Sequence, residues 1–174
     1  MIKKIKQNIS NEHILYNNIL LLSRNKIFYT NFNLADTFQN RIHLIFLHIS
    51  FLMIKINNGD KKKSYKIFYQ KMFDLIFNRI EENMRENGYG DVNVNKNMKL
   101  LVKTFYNILL KCENYYKKNS NFKKAFLNKY LAQNDTKMQT FDTNFMEYFN
   151  KYEAFCFDLK SDSVLRGDLF FNYK

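Results

Sequence analysis

The sequence predicts an all-α fold: a single compact bundle of about six to seven helices, in one domain over residues 1–174. Three observations predict it. The chain has no proline and only four glycines, whereas a β-rich chain spends both on tight turns. Apolar residues recur at steps of three and four along several long segments. Hydrophobic residues make up 46% of the chain, with 18 Phe and 12 Tyr, enough to fill one sizeable core.

In order, His13 to Arg24 reads as a first helix with Ile14, Leu15, Ile19 and Leu22 on one side. Lys26 to Leu34 is a connector carrying Phe28, Tyr29 and Phe32. The most apolar stretch, Ala35 to Ile56, is the central helix around which the rest is organised. Asp36 and Gln39 have the spacing of a capping box at its start. Arg41, His48 and Lys55 fall seven residues apart within it, so they stack along one line, about 10 Å between neighbours. Asn57-Asn58-Gly59-Asp60 supplies the stop. The clearest periodicity follows: Tyr65, Phe68, Tyr69, Met72, Phe73, Ile76, Phe77, Ile80 and Met84 mark one broad face of a long helix, and Glu81 and Arg85 form an i,i+4 pair on its other side. Gly88 is placed for a left-handed helix end. Asn95 is the expected cap of a helix over Lys96–Lys118, and a short helix with Phe122, Phe126 and Tyr130 comes next. After a polar linker at 133–137, a last helix carries Met138, Phe141, Phe145, Tyr148, Phe149, Tyr152 and Cys156. The tail beyond Leu159 has no helical stripe; a packed extended segment and a loose end both fit it.

The formal charge of +12 points to a nucleic acid or an acidic membrane surface. It also has a compositional explanation, because 23 Lys stand against 5 Arg and beside 25 Asn, the bias of an AT-rich genome. An evolved phosphate site recruits Arg for its bidentate fork. Cys112 and Cys156 lie in apolar helical patterns and read as buried reduced thiols. Met1 to Gln7 is basic but leads into polar sequence, so neither a secretory signal nor a transit peptide is expected. The longest apolar run, Ile42–Ile54, is short of the roughly 20 residues a spanning helix needs, so a soluble or peripheral protein is expected.

Little of this carries catalysis. His43 and His48 point about 140° apart on a helix and make no HExxH pair, so no metal and no cofactor is expected. Gly88-Tyr89-Gly90 lacks the strand before it and the Lys-Ser/Thr after it that a phosphate loop requires. An enzyme acting on an isoprenoid or phosphate substrate would want paired acids or an Arg cluster on facing helices, and neither is visible.

Two blocks carry a resemblance. The first is Phe28-Tyr29, Ala35-Asp36-Thr37, Arg41 and Leu47-His48; the second is Met72-Phe73-Asp74 followed by Met84-Arg85-Glu86-Asn87-Gly88-Tyr89-Gly90-Asp91, with Val94 and Lys96 beyond it and Phe105-Tyr106 later. Together they resemble the signature of the ubiquinol–cytochrome c chaperone family, assembly factors of the respiratory cytochrome bc1 complex, over about residues 14–132. Asn40 and Asn107 stand where the family usually has glycine, and the segment from Gln133 onward matches poorly. The resemblance implies an all-helical, non-enzymatic chaperone that holds newly made cytochrome b. It also implies a small helical co-chaperone, ribosome contact, and a site of action peripheral to the inner membrane, on the cytoplasmic side in bacteria or the matrix side in mitochondria. The residues it singles out are Asp36, Thr37, Arg41, His48, Asp74, Arg85, Glu86, Gly88, Gly90 and Asp91. They read either as a buried ion-pair network fixing helix register, for example Arg41 with Asp74, or as a contact surface for a partner. Breaking a buried pair costs about 3–5 kcal/mol. The alternative function is a basic helical RNA- or ribosome-binding module, whose affinity would fall steeply with salt.

Overall fold

A computed structural model describes residues 9–58, 63–134 and 143–173. Their order is α1 (Asn11–Ser23), α2 (Ile27–Thr30), α3 (Phe38–Asn58), α4 (Lys63–Glu86), α5 (Asp91–Cys112), a 3-10 turn (Tyr115–Lys117), α6 (Ser120–Tyr130), α7 (Thr143–Asp158) and α8 (Ser161–Leu165). Six of these are substantial helices and α2 and α8 are single turns, so the all-α bundle expected from periodicity is the one that forms. Among the described residues the only β pairing is a bridge between Leu34 and Gln133. No described helix is long and apolar enough to cross a membrane.

α3 is the axle. It packs against α1, α4, α5, α7 and α8, so every residue from Ile42 to Ile54 is buried. That accounts for its continuous apolar run: a helix covered on all sides has no polar face to keep. α4, covered on one side, buries Tyr65, Phe68, Met72, Ile76, Phe77, Ile80 and Met84, all on the face read from its spacing.

Several boundaries differ from expectation; the helix expected to run to Lys118 ends at Cys112, and a 3-10 turn follows it. The Asp36–Gln39 capping box does not form. Thr37 caps α3 instead, its Oγ1 accepting from the Asn40 N–H at 3.2 Å, while the Gln39 amide lies 2.7 Å from His43 Nε2. α5 starts at Asp91, not after Asn95. The chain leaves α4 through Gly88 at φ +82, with Gly88 N–H donating to Arg85 O and Tyr89 N–H to Met84 O, and the next helix begins two residues later. Asp91 in its first turn offsets the helix dipole better than Asn95 would. Finally, the tail contains α8 and then packs as an extended segment. Phe171 and Tyr173 lie against Tyr148, and Gly167 (φ +82) sits where an added Cβ would meet the Ile14 side chain at 2.8 Å. Gly59 and Asp60 of the expected stop, and Met138 and Phe141 of the expected last helix, lie outside the described residues.

Asn40 explains one departure from the family pattern. It is buried, its Nδ2 donates to Ala35 O at 2.7 Å and Ala132 O at 2.8 Å, and its Oδ1 accepts from Ala132 N–H at 2.9 Å. Every polar group of the amide is used to tie the start of α3 to the chain leaving α6. The other departure, Asn107, lies exposed on α5.

Candidate functional site

The line of Arg41, His48 and Lys55 resolves into three different ties. Arg41 grips Asp36 bidentately, Nε to Oδ1 at 2.6 Å and Nη2 to Oδ2 at 2.8 Å, with both side chains about half exposed. This hydrogen-bonded pairing lowers the Asp36 pKa and raises that of Arg41. His48 is fully buried. Its Nδ1–H donates to Leu44 O at 2.7 Å, since a carbonyl can only accept, so Nε2 accepts from the Tyr148 hydroxyl at 2.7 Å. Burial pushes the imidazole down to about 4, which keeps it neutral at physiological pH. Phe28, Phe149 and Tyr152 enclose the ring, and Tyr152 donates to the His48 carbonyl at 3.2 Å. Lys55 donates from Nζ to the carbonyl of Phe157, near the C-terminal end of α7 where a cation is favoured. The three are therefore not one cationic stripe.

The second block makes a corner. Arg85 bridges Glu81 on its own helix, at 2.9 Å, and Asp91 at the start of α5. Gly88 and Gly90 form the turn between them, Gly90 as the N-cap of α5. Asp74 does not meet Arg41; it is exposed and accepts from Gln70 Nε2 at 2.8 Å. Glu86 is likewise exposed. The signature charges thus pair locally on the surface instead of forming a buried network, so the cost of stranding a buried partner does not apply to them.

A groove opens beyond the Lys55 end of α3. Its largest part, about 460 Å³, is lined by Tyr116, Lys123, Asn150, Glu153, Ala154 and Phe157. Tyr116 and Phe157 also line a neighbouring hollow of about 280 Å³, which shares Ile54, Asn57 and Glu113 with a third near Tyr69 and Leu109. The surface of the largest part is mainly apolar, with two ionisable groups in it, whereas Asn57, Glu113 and Asn114 make the neighbouring hollow more polar. Glu153 is 2% exposed, and its Oε1 accepts from the Tyr116 N–H at 3.0 Å. Burial raises its carboxyl pKa. Lys123 donates to Asn150 Oδ1 at 2.7 Å and lies 4.5 Å from the Tyr115 ring centre, its ammonium pKa pushed down by burial. Among the described residues these two form no ion pair with each other. The groove can accept apolar side chains and offers one acceptor and one donor beside them. Sequence reasoning missed it, although Glu153 amid the Phe149, Tyr152 and Cys156 stripe was a visible signal.

Among the described residues no group of three His, Cys, Asp or Glu stands close enough to hold a metal. Cys112 and Cys156 are both free thiols and both buried. Burial pushes both thiols up, away from the reactive thiolate.

The ubiquinol-cytochrome C chaperone family model matches residues 30–171. The chain belongs to that family. A crystal structure of the Cbp3 homolog from Brucella abortus has the same fold, with a TM-score of 0.75 at 20% identity over 94% of this chain and 89% of that one. Curated proteins give no match. The stretch matched as ubiquinol-cytochrome c chaperone runs past residue 132, through α7 and into the packed tail, and so takes in the α7 wall of the groove, the second signature block and the first from Ala35 onward.

Proposed function

We propose that this member of the ubiquinol-cytochrome c chaperone family is a non-enzymatic assembly chaperone. It holds newly made cytochrome b during biogenesis of the bc1 complex. Family membership over residues 30–171 carries the reading. The groove at the end of α3 and α7 supports it physically, because an apolar trough with a few fixed polar groups suits segments of a membrane subunit awaiting insertion. A small helical co-chaperone and the ribosome are proposed as partners, and the membrane surface that receives the client as the place of action. Asp36, Thr37, Arg41, His48, Arg85, Gly88, Gly90 and Asp91 are proposed to set the helix framework. Asp74 and Glu86, exposed and free of that framework, are proposed as partner contacts.

Deleting the gene and recording haem spectra of membranes tests this directly. Cytochrome b and bc1 absorbance fall if the reading is right; normal levels of both overturn it. Glu153→Leu, which keeps the groove's volume but removes its fixed acceptor, is expected to weaken co-purification of cytochrome b.

A further inference from the structure

Among the described residues the positive charge is concentrated in one stretch; residues 9–58 hold four bases and two acids. Residues 92–134 hold nine lysines against one acidic residue, Glu113, a net +8. Residues 63–91 hold five bases and five acids, and residues 143–173 three bases and five acids. Among the described residues, the ion pairs made by Arg41, Lys71, Arg79, Arg85, Lys151 and Arg166 all use bases outside the 92–134 stretch.

α5 arranges part of this charge in a line with apolar side chains at its ends. Val92, Lys96, Lys99, Lys103, Tyr106 and Leu110 follow one another at steps of four and three. They fall within about 80° of the helix circumference along a line about 27 Å long. All six are exposed, Val92 at 82% and Leu110 at 64%, and exposed Leu100 flanks the line. The opposite side of α5 is spent on the core through Val94, Leu101, Phe105 and Ile108. The outer line is therefore not needed for folding.

We infer that the outer face of α5 docks on a lipid surface bearing anionic headgroups. Lysines that stretch along the helix flank toward phosphates, with Val92 and Leu110 at the two ends of the line and Leu100 beside it reaching the acyl boundary, are the two components of interfacial binding. RNA suits the face less well: it carries no Arg, and Tyr106 is its one ring for stacking. The inference deepens the proposed role at a membrane surface and rests on that reading for its purpose.

The chain has no tryptophan, so a single introduced one reports insertion without background. Leu110→Trp in the full-length protein is expected to shift its emission to the blue with phosphatidylcholine vesicles containing phosphatidylglycerol, and not with phosphatidylcholine alone. Ile67→Trp, exposed on α4, is expected to stay silent. Replacing Lys96, Lys99 and Lys103 together by Gln should weaken vesicle binding roughly 100-fold, about fivefold per lysine, with the melting curve unchanged because all three are exposed. Absence of vesicle binding overturns the inference. So does a shift at Ile67→Trp in place of Leu110→Trp, or a face that binds RNA and ignores vesicles. Failure of the chaperone reading shows in the haem spectra of the deletion strain and leaves the vesicle measurements standing, so the two failures are distinguishable.

Discussion

His48 and Arg41 lie about two turns apart on α3 and belong to one signature, yet they are held by opposite physics. His48 is sealed among aromatic rings, neutral, with both ring nitrogens bonded. Arg41 is charged, half exposed and clasped to its own loop. Buried polar groups are expensive when a partner is lost, whereas exposed ion pairs are screened and replaceable by water. The comparison teaches that a shared motif does not imply a shared role: one residue fixes α3 against α7, and the other holds an exposed pair at the start of α3.

The largest expected effect is at the buried end. His48→Ala removes a ring packed on four others and strands the Tyr148 hydroxyl in the core, which should cost about 4 kcal/mol. A shift of that size in the denaturation midpoint would confirm it, and a near-neutral result would mean the core closes over the gap.

Acid should act through the same residue. At pH 7 His48 is neutral folded and unfolded. As pH falls through the ordinary value of 6.5 the unfolded chain takes up a proton, while the folded chain resists until about 4. The stability is therefore complete above 6.5 and lost between 6.5 and about 4, amounting to about 3 kcal/mol. His43, lowered by burial and bonded to the Tyr130 carbonyl, acts in the same direction. Glu153, raised by burial, opposes them, favouring the folded state as pH falls. Stability curves of wild type and His48→Gln should converge toward pH 4, since the variant lacks this titration.

Tyr148→Phe sharpens the comparison by removing one hydroxyl. His48 Nε2 then has no donor in a dry site, a loss of about 1–3 kcal/mol. Gly88→Ala should cost less, about 1 kcal/mol. An added Cβ meets nothing within 4 Å there, so only the left-handed backbone is strained. Gly90→Ala, at ordinary φ, serves as its control in thermal melts.

Much of this framework is legible in the sequence. α4 is read almost residue by residue because one face is buried and period 3.6 survives in the pattern. α3 is legible as buried, but not which neighbour each side chain meets, because a helix covered all round carries no directional signal. The tie from His48 to Tyr148 spans 100 residues and that from Lys55 to Phe157 spans 102, distances over which local spacing says nothing. The cap of α3 is not legible because Asp36 is the better cap in isolation, and it takes the tie of Arg41 to draw Asp36 away and leave Thr37 in that place. The first turn of α5 is hidden because the Asn-rich sequence after Asp91 has weak helix propensity, which burial of Val94 outweighs. The groove is not legible in the sequence because its walls come from segments far apart in the chain.

Arg41→Ala is the smallest expected change in stability and the most informative for function. The pair it breaks is solvent-exposed, and Thr37, not Asp36, caps the helix, so the fold keeps its start when the clasp is gone. The denaturation midpoint should stay within error of wild type. Against that constant background, client capture can be read cleanly. If Arg41→Ala co-purifies cytochrome b as wild type does, the exposed half of the signature serves only the framework, and client contact belongs to the groove. If capture falls while the melting curve holds, the clasp faces a partner, and the contrast with His48 becomes a division of labour along one helix. His48→Ala cannot draw that distinction, because its effect on binding is inseparable from its effect on the fold.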